Sequence, residues 1–312
     1  MIYFPPAKIN LGLKVLDRRE DGFHNIESIF VPTQLCDILE VHKLKNEAEG
    51  ELKFECSGLE VDGSIQNNTI VKAHQLLSNK FNLPAIEAKL HKVIPTGAGL
   101  GGGSSDGTFM LKAINEICEL GLSEDSLEKY AEELGSDCPF FVKNRTSYVT
   151  GRGEKITPIS EAVDGLGLKH MMILIIHPNV HINTSEAFTW IQDKGVTEGH
   201  LSQSDSSNID LTSQYIHDLI GTPIENWGRI LVNDFEIPVT SRFSQIQKAL
   251  QLIKDSGADY IQMTGSGSSV YGLFELESTD NTLKDTKRTL KAQKVAEKAS
   301  NEGFFVHFGA LA

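Results

Sequence analysis

Between Ala7 and Val15 apolar and polar residues alternate, with Ala7, Ile9, Leu11, Leu13 and Val15 on one side and Lys8, Asn10, Gly12 and Lys14 on the other. Period-two alternation predicts a strand with one buried face. It sets Lys8 and Asn10 together on the face turned away from the core. Further strands are expected at 38–41, 52–56 and 86–90. Asn68 suits the N-cap of a helix whose apolar positions are Ile70, Ala73, Leu76 and Leu77. A strand running out at Ile94-Pro95 leads into a glycine-rich loop. A helix is expected to begin near Ser104 to Asp106, with Met110, Ala113, Ile114 and Ile117 inward and Gly121 as its C-cap. A second helix follows the Ser123 cap, turns Leu127, Tyr130, Ala131 and Leu134 inward, and stops at Gly135. Residues 147–156 read as a hairpin around Gly151-Arg152-Gly153.

In the second half, residues 171–176 (MMILII) form an unbroken apolar run, which predicts a strand buried on both faces. Residues 195–214 are polar and rich in Ser and Asp, with no clear period, as expected of a loop or a weakly ordered insertion. Ile246, Leu250 and Ile253 mark a helix ending at Gly257. A glycine-rich turn at 264–269 precedes an apolar strand at 270–274. Leu290, Val295 and Ala299 mark the last helix, and residues 304–308 the last strand. This mixture predicts an α+β fold of two lobes that divide between Ile156 and Lys169.

Composition narrows the function. Lys plus Arg number 29 and Asp plus Glu 42, a net charge of −13. An acidic chain does not bind nucleic acid broadly, because that requires basic surface to displace counterions. The four cysteines have no C-x-x-C spacing and make no Cys/His cluster, so each reads as a small buried apolar residue in a reducing compartment and not as part of a metal site. The opening MIYFPPAKIN lacks a basic segment followed by an apolar run, so it is not read as a secretory signal. No apolar run approaches the ~20 residues of a membrane span. A cytoplasmic protein without membrane partners is expected. The pattern leaves the oligomeric state open.

Gly97, Gly99, Gly101, Gly102 and Gly103 crowd the loop ahead of the Met110 helix. Without Cβ atoms such a backbone lets a ligand approach its amides. The unpaired amides and partial positive charge of the helix start then suit a phosphate. Ser104 and Ser105 add hydroxyl donors or could reach a metal. No lysine follows the glycines, so the loop is not a Walker motif. Residues 97–102 fit G-x-G-x-x-G, but the acidic strand end that a dinucleotide fold wants about 20 positions on is absent.

The strand AKINLGL and the loop PTGAGLGGGSSD together resemble the GHMP kinases. The matching pieces are PAKINLGL (6–13), RREDGFHNIESIF (18–30), NNTIVKA (67–73), PTGAGLGGGSSD (95–106), LGSDCPFF (134–141), GRGEKITP (151–158) and MTGSGSSVYGLF (263–274), in order along the chain. Within the family, the GFH segment and the three glycines before the serines are most similar to the branch acting on 4-diphosphocytidyl-2-C-methyl-D-erythritol. The resemblance implies a two-lobed fold, with a ribosomal-S5-like N-terminal ATP-binding lobe (residues 1–160) and a ferredoxin-like C-terminal lobe (161–312). It implies ATP as co-substrate and a small cytidine diphosphate substrate. Mg²⁺ is expected only as the nucleotide's counter-ion, since no carboxylate cage suggests a resident metal.

Position by position, the resemblance makes Pro95, Thr96, Gly97, Ala98, Gly99, Leu100, Gly101, Gly102, Gly103, Ser104 and Ser105 the ATP loop, with Asn68 and Lys92 near the adenine. Asp137 matches the catalytic acid/base and Lys8 the catalytic lysine. His24 matches a cytosine hydrogen-bonding position, and Phe23 and Phe188 an aromatic pair stacked on that base. Thr184 and Asn10 are further substrate contacts. Gly265, Ser266 and Gly267 match a third motif closing the site near the phosphates. Three departures stand out: Phe23 replaces a common tyrosine, Gly107-Thr108 replaces a small pair at the helix start, and Ser136 and Cys138 flank Asp137 in place of Ala and Val. Two other readings remain, a sibling kinase with a different alcohol and a nucleotide-binding module without catalysis.

Overall fold

The structure, a computed structural model, describes residues 1–45, 47–61, 63–159, 166–192, 216, 218–276 and 282–311. The expected lobe boundary at 160/161 and the expected loop 195–214 lie outside the described residues.

Among the described residues, three four-stranded sheets organise the chain. The first has the order β1-β4-β6-β5, from Ile2–Tyr3 (β1), Ile38–Lys43 (β4), Leu52–Gly58 (β5) and Ile86–Lys92 (β6). The second is antiparallel, β2-β3-β7-β8, from Pro6–Arg18 (β2), His24–Cys36 (β3), Ser147–Thr150 (β7) and Lys155–Pro158 (β8). Helices Thr69–Ser78 (α1), Gly102–Ile117 (α2) and Glu124–Leu134 (α3) pack on the first sheet, and the short Phe140–Lys143 (α4) follows. The third sheet is antiparallel, β10-β11-β9-β12, from Met171–His177 (β9), Tyr260–Met263 (β10), Val270–Glu275 (β11) and Phe305–Ala310 (β12). Helices Thr184–Gln192 (α5), Glu236–Thr240 (α6), Ser244–Ser256 (α7) and Thr282–Asn301 (α8) complete the C-terminal half. The α+β class is as expected.

The apolar run at 171–176 behaves as its pattern predicts. Ile173 and Ile175 of β9 join a core with Ala7, Ile9 and Leu11 of β2, whereas Leu174 and Ile176 face α7 and α8. Each such burial contributes about 1.5–3 kcal/mol. The third sheet is therefore a wall between two cores, and one of them is shared with the N-terminal half.

Strand β2 departs from its expected alternation. Leu11 pairs with Ile29, but Leu13 pairs with Ser28, so an extra residue is inserted at Gly12. Gly12 has φ +67°, a left-handed conformation that suits glycine in a bulge. The insertion reverses the facing of the residues beyond it, so Leu13 leaves the face of Leu11 and lines the cavity that Lys8 and Asn10 also line. The face carrying Lys8 is not open to water either: Lys8 is 2% exposed and Asn10 0%.

Helix α2 begins at Gly102, two residues ahead of the expected start, with Gly101 as its N-cap at φ +71°, and ends on Cys118 as C-cap, three residues before the expected Gly121. Ser105 is therefore turned into the interior, 0% exposed, and its hydroxyl has no hydrogen-bond partner. The unusual Gly107-Thr108 pair has a packing reason. A Cβ at Gly107 would lie 2.9 Å from Thr69 Cβ, so glycine lets α1 and α2 approach. The buried Thr108 hydroxyl lies 2.8 Å from the Cys138 carbonyl and 2.9 Å from that of Ser104, tying α2 to the turn that carries Asp137.

Candidate active site

A cavity of about 720 Å³ opens where β2, the glycine loop, the Asp137 turn, the β7–β8 hairpin and α5 converge. It falls in the size range of small-ligand sites. Of the expected residues it gathers Lys8, Asn10, Phe23, His24, Asp137, Thr184 and Phe188, together with Gly97, Gly99, Gly101 and Gly265, Ser266 and Gly267. A smaller cavity of about 180 Å³ gathers Asn68, Lys92, Thr96 and Gly103, with Asp106. Pro95, Ala98, Leu100, Gly102, Ser104 and Ser105 line neither. The side chains of Ala98 and Leu100 belong to the core, so these two residues offer the loop only backbone.

The glycine loop is clamped from both sides. The Lys8 amide donates to the Leu100 carbonyl at 2.9 Å, and the Ser269 amide to the Ala98 carbonyl at 3.2 Å. The helical ladder starts with the Ser105 amide donating to the Gly101 carbonyl. The amides of Gly102, Gly103 and Ser104 precede it, as an anion site requires.

Lys8 Nζ lies 3.5 Å from Asp137 Oδ2, 2.7 Å from Asn10 Oδ1 and 4.6 Å above the Phe30 ring. Its stem passes Gly101, where a Cβ would sit 3.1 Å from Lys8 Cγ. Burial pulls the Lys8 pKa down, and the Asp137 carboxylate opposes that fall. Asn10 spends its side chain on this arrangement: Nδ2 donates to Ser28 Oγ at 2.9 Å and Oδ1 accepts from Thr264 Oγ1 at 3.1 Å. Asn10 thus lines the cavity chiefly as the group that holds Lys8.

At the far end His24 stacks on Phe188, centroids 4.7 Å apart and planes 8° apart. Burial and the Arg18 charge lower the His24 pKa, favouring a neutral ring. Phe23 is half exposed and carries the Arg152 guanidinium, Cζ 5.0 Å from its centroid. Phe23 and Phe188 thus each face a different partner and not one another. Thr184 Oγ1 is 3.0 Å from Ser266 Oγ, joining α5 to the third glycine motif.

In the smaller cavity Lys92 is not a free cation. Its Nζ lies 2.5 Å from Asp37 Oδ2 and 2.7 Å from Asp106 Oδ2, all three side chains being buried. Asp37, the single residue between β3 and β4, also accepts the Val93 and Ile94 amides on Oδ1 at 2.6 and 2.9 Å. Burial opposes the Lys92 charge, but the Asp106 and Asp37 carboxylates outweigh it and raise the Lys92 pKa. Asp106 Oδ1 is buried with no hydrogen-bond partner. Burial, with Asp37 adding to it and Lys92 opposing, raises the Asp106 carboxyl from an ordinary 3.8 to about 7. Between those values the folded chain holds a proton that the unfolded chain releases, so this group's contribution to stability falls as pH rises through that window. Asp106→Asn removes the titration. Thermal melting from pH 5 to 7.5 should show the parent losing more stability than the variant, and equal slopes would mean that Asp106 does not titrate there.

Sequence reasoning overlooked Asp37, Asp106, Thr108 and Arg152 as parts of the site. Asp106 and Arg152 stand inside the motifs that carried the resemblance. Asp37 is reached only through the chain crossing from β3 to β4. Among the described residues no group of three or more His, Cys, Asp or Glu is placed to hold a metal, and no helix is long and apolar enough to cross a membrane.

Comparison with known proteins identifies the family. Residues 68–145 match the GHMP kinases N terminal domain, and residues 216–303 the GHMP kinases C terminal family. The chain is 44% identical over 275 residues to a 4-diphosphocytidyl-2-C-methyl-D-erythritol kinase of Azobacteroides pseudotrichonymphae, covering 88% of this chain and 94% of that one. It is 44% identical over 279 residues to the kinase of the same name from Bacteroides thetaiotaomicron, covering 89% and 94%. In fold it is similar to a crystal structure of 4-(cytidine 5'-diphospho)-2C-methyl-D-erythritol kinase, with TM-score 0.69, 24% identity and 96% of each chain covered. It is also similar in fold to Methanococcus jannaschii mevalonate kinase, with TM-score 0.66, 13% identity and 100% and 98% covered. Sequence motifs, fold and relatives converge: the chain belongs to the 4-diphosphocytidyl-2-C-methyl-D-erythritol kinase family of GHMP kinases.

Proposed function

We propose that this protein transfers the γ-phosphoryl group of ATP to the 2-hydroxyl of 4-diphosphocytidyl-2-C-methyl-D-erythritol, a step of the non-mevalonate isoprenoid route. One observation carries the reading: a single cavity has the Lys8–Asp137 ion pair at one end and the His24, Phe188 and Phe23 rings at the other. The alcohol would meet the carboxylate while a flat, hydrogen-bonding base meets the rings.

In this reading Asp137 accepts the hydroxyl proton as the oxygen attacks the γ-phosphorus, whose bond to the β–γ bridging oxygen breaks so that ADP leaves. Lys8, held by Asn10, keeps that carboxylate oriented and offsets charge on the group in flight. The amides at the start of α2 and the Gly265-Ser266-Gly267 turn hold the phosphates. The smaller cavity, with Asn68 and Lys92, takes the adenine. The Lys92 ammonium already serves two carboxylates, so its part there is to brace the strand end. Magnesium would enter with ATP as the triphosphate's counter-ion, and among the described residues no cluster of carboxylates is placed to hold it. We infer lobes of residues 1–160 and 161–312. Four unpaired cysteines support a reducing, cytoplasmic setting, although only Cys138 is buried as expected, Cys36 and Cys118 being half-buried and Cys56 exposed.

The test is phosphate transfer by the purified protein with ATP and the diphosphocytidyl alcohol, run beside mevalonate and homoserine. Transfer to the diphosphocytidyl alcohol alone is expected. Turnover of mevalonate or homoserine instead would overturn the substrate and leave the kinase standing.

A further inference from the structure

Arg152 sits at the tip of the β7–β8 hairpin, inside the large cavity. The hairpin is fixed in place. Its Gly151 carbonyl accepts the Ile26 amide at 2.7 Å, and the Arg152 amide donates to Glu154 Oε2 at 2.5 Å. From this tip the guanidinium reaches back over Phe23, at the aromatic end of the cavity. The next residue, Gly153, lies against the other end, where an added Cβ would be 3.3 Å from Asp137 Oδ1. The hairpin therefore spans the distance between the rings and the Lys8–Asp137 pair. In a diphosphocytidyl alcohol, the diphosphate is what lies between base and reacting hydroxyl.

A diphosphate brings at least two negative charges into a chain whose net charge is −13. The Lys8 charge faces Asp137. Arg152 has a different kind of partner: Nη2 is 3.3 Å from Glu132 Oε1, and the Glu132 side chain is 47% exposed. Such a surface pair contributes about 0–1 kcal/mol, so it exchanges readily for a better anion. A guanidinium offers forked, charge-assisted hydrogen bonds that match phosphate oxygens. Its stacking on Phe23 limits the side-chain freedom lost when those bonds form.

We propose that Arg152 is a specificity-determining residue whose guanidinium reads the diphosphate of the substrate, selecting a nucleoside-diphosphate-linked alcohol over simple alcohols and uncharged nucleosides. The proposal rests on the substrate reading above. It gives a use to a cation that the phosphoryl-transfer machinery leaves idle, and it makes Phe23 a shelf for that cation as well as a surface for the base.

Calorimetric binding of cytidine, CMP and CDP to the parent, Arg152→Gln and Arg152→Lys tests it, with thermal melting as the check on folding. The parent should bind CDP at least tenfold tighter than cytidine. Arg152→Gln should weaken CDP by about 10–100-fold, weaken CMP less, and leave cytidine within threefold; Arg152→Lys should recover part of the CDP loss. In turnover, KM for the diphosphocytidyl alcohol should rise in Arg152→Gln while kcat stays within threefold and KM for ATP is unchanged. Equal weakening of all three ligands would assign Arg152 to base stacking and overturn the proposal, as would unchanged CDP binding. A parent that binds neither cytidine nor CDP would overturn the substrate reading and this proposal together.

Discussion

Asp137→Asn is expected to cut kcat by roughly 10²–10⁴-fold, the usual contribution of a positioned general base, while ATP affinity stays within about threefold. The substitution preserves the shape of a side chain that is 31% exposed and stands at the end of the large cavity. What it removes is the capacity to accept a proton and the charge facing Lys8. That charge opposes the effect of burial on Lys8, so the variant's Lys8 should lose its proton at lower pH than the parent's. The alkaline limb of the pH–rate profile should move down with it. Single-turnover phosphate transfer, read beside equilibrium nucleotide binding, separates loss of chemistry from loss of binding. A variant that turns over like the parent would remove Asp137 from the mechanism and leave Lys8 without its assigned role.

The largest effect on stability is expected at Lys92. Lys92→Met leaves Asp37 and Asp106 facing one another with no cation, both side chains almost wholly buried. Breaking a buried pair by removing one partner costs about 3–5 kcal/mol. At roughly 2–4 °C per kcal/mol in domains of 150–250 residues, the melting temperature should fall by on the order of 10 °C. The triple variant Lys92→Met, Asp37→Asn, Asp106→Asn should regain much of that loss, because the uncompensated charge is gone. A melting temperature within 1 °C of the parent in Lys92→Met would mean that the three groups hold no net charge to balance. ATP affinity should weaken in the single variant, since Asp37 also holds the Val93 and Ile94 amides just ahead of the glycine loop.

Much of the molecule was legible along the chain because its signals are local. The Asn68 side chain accepts the Ile70 amide at 2.9 Å, as its N-cap position predicts. The Ser123 cap and the Gly135 stop bound α3 as read. The run at 171–176 is buried on both faces because a central strand between two cores needs apolar side chains on each. The glycine loop and helix start were readable for the same reason: the absence of Cβ atoms and the opening amides of a helix are properties of consecutive residues. The motifs named Lys8, Asp137, His24 and Phe188, and these gather in one cavity.

Tertiary structure decided the rest, wherever a side chain's fate depends on a distant segment. Alternation alone cannot foresee an inserted residue, so the bulge at Gly12 moved Leu13 across the sheet. Lys8 and Asn10 were set opposite the core as expected, yet contacts with Phe30, Ser28 and Thr264 closed that face as well. Lys92 carries no local mark of its two partners, because Asp37 and Asp106 lie 55 and 14 residues away along the chain. Local sequence thus determined secondary structure and the glycine loop at the start of α2, through backbone geometry and periodic burial, and its family motifs named the residues that gather in the large cavity. Which of those groups would be buried, paired or neutral was left to packing, since the charge a side chain can hold depends on everything that displaces water around it.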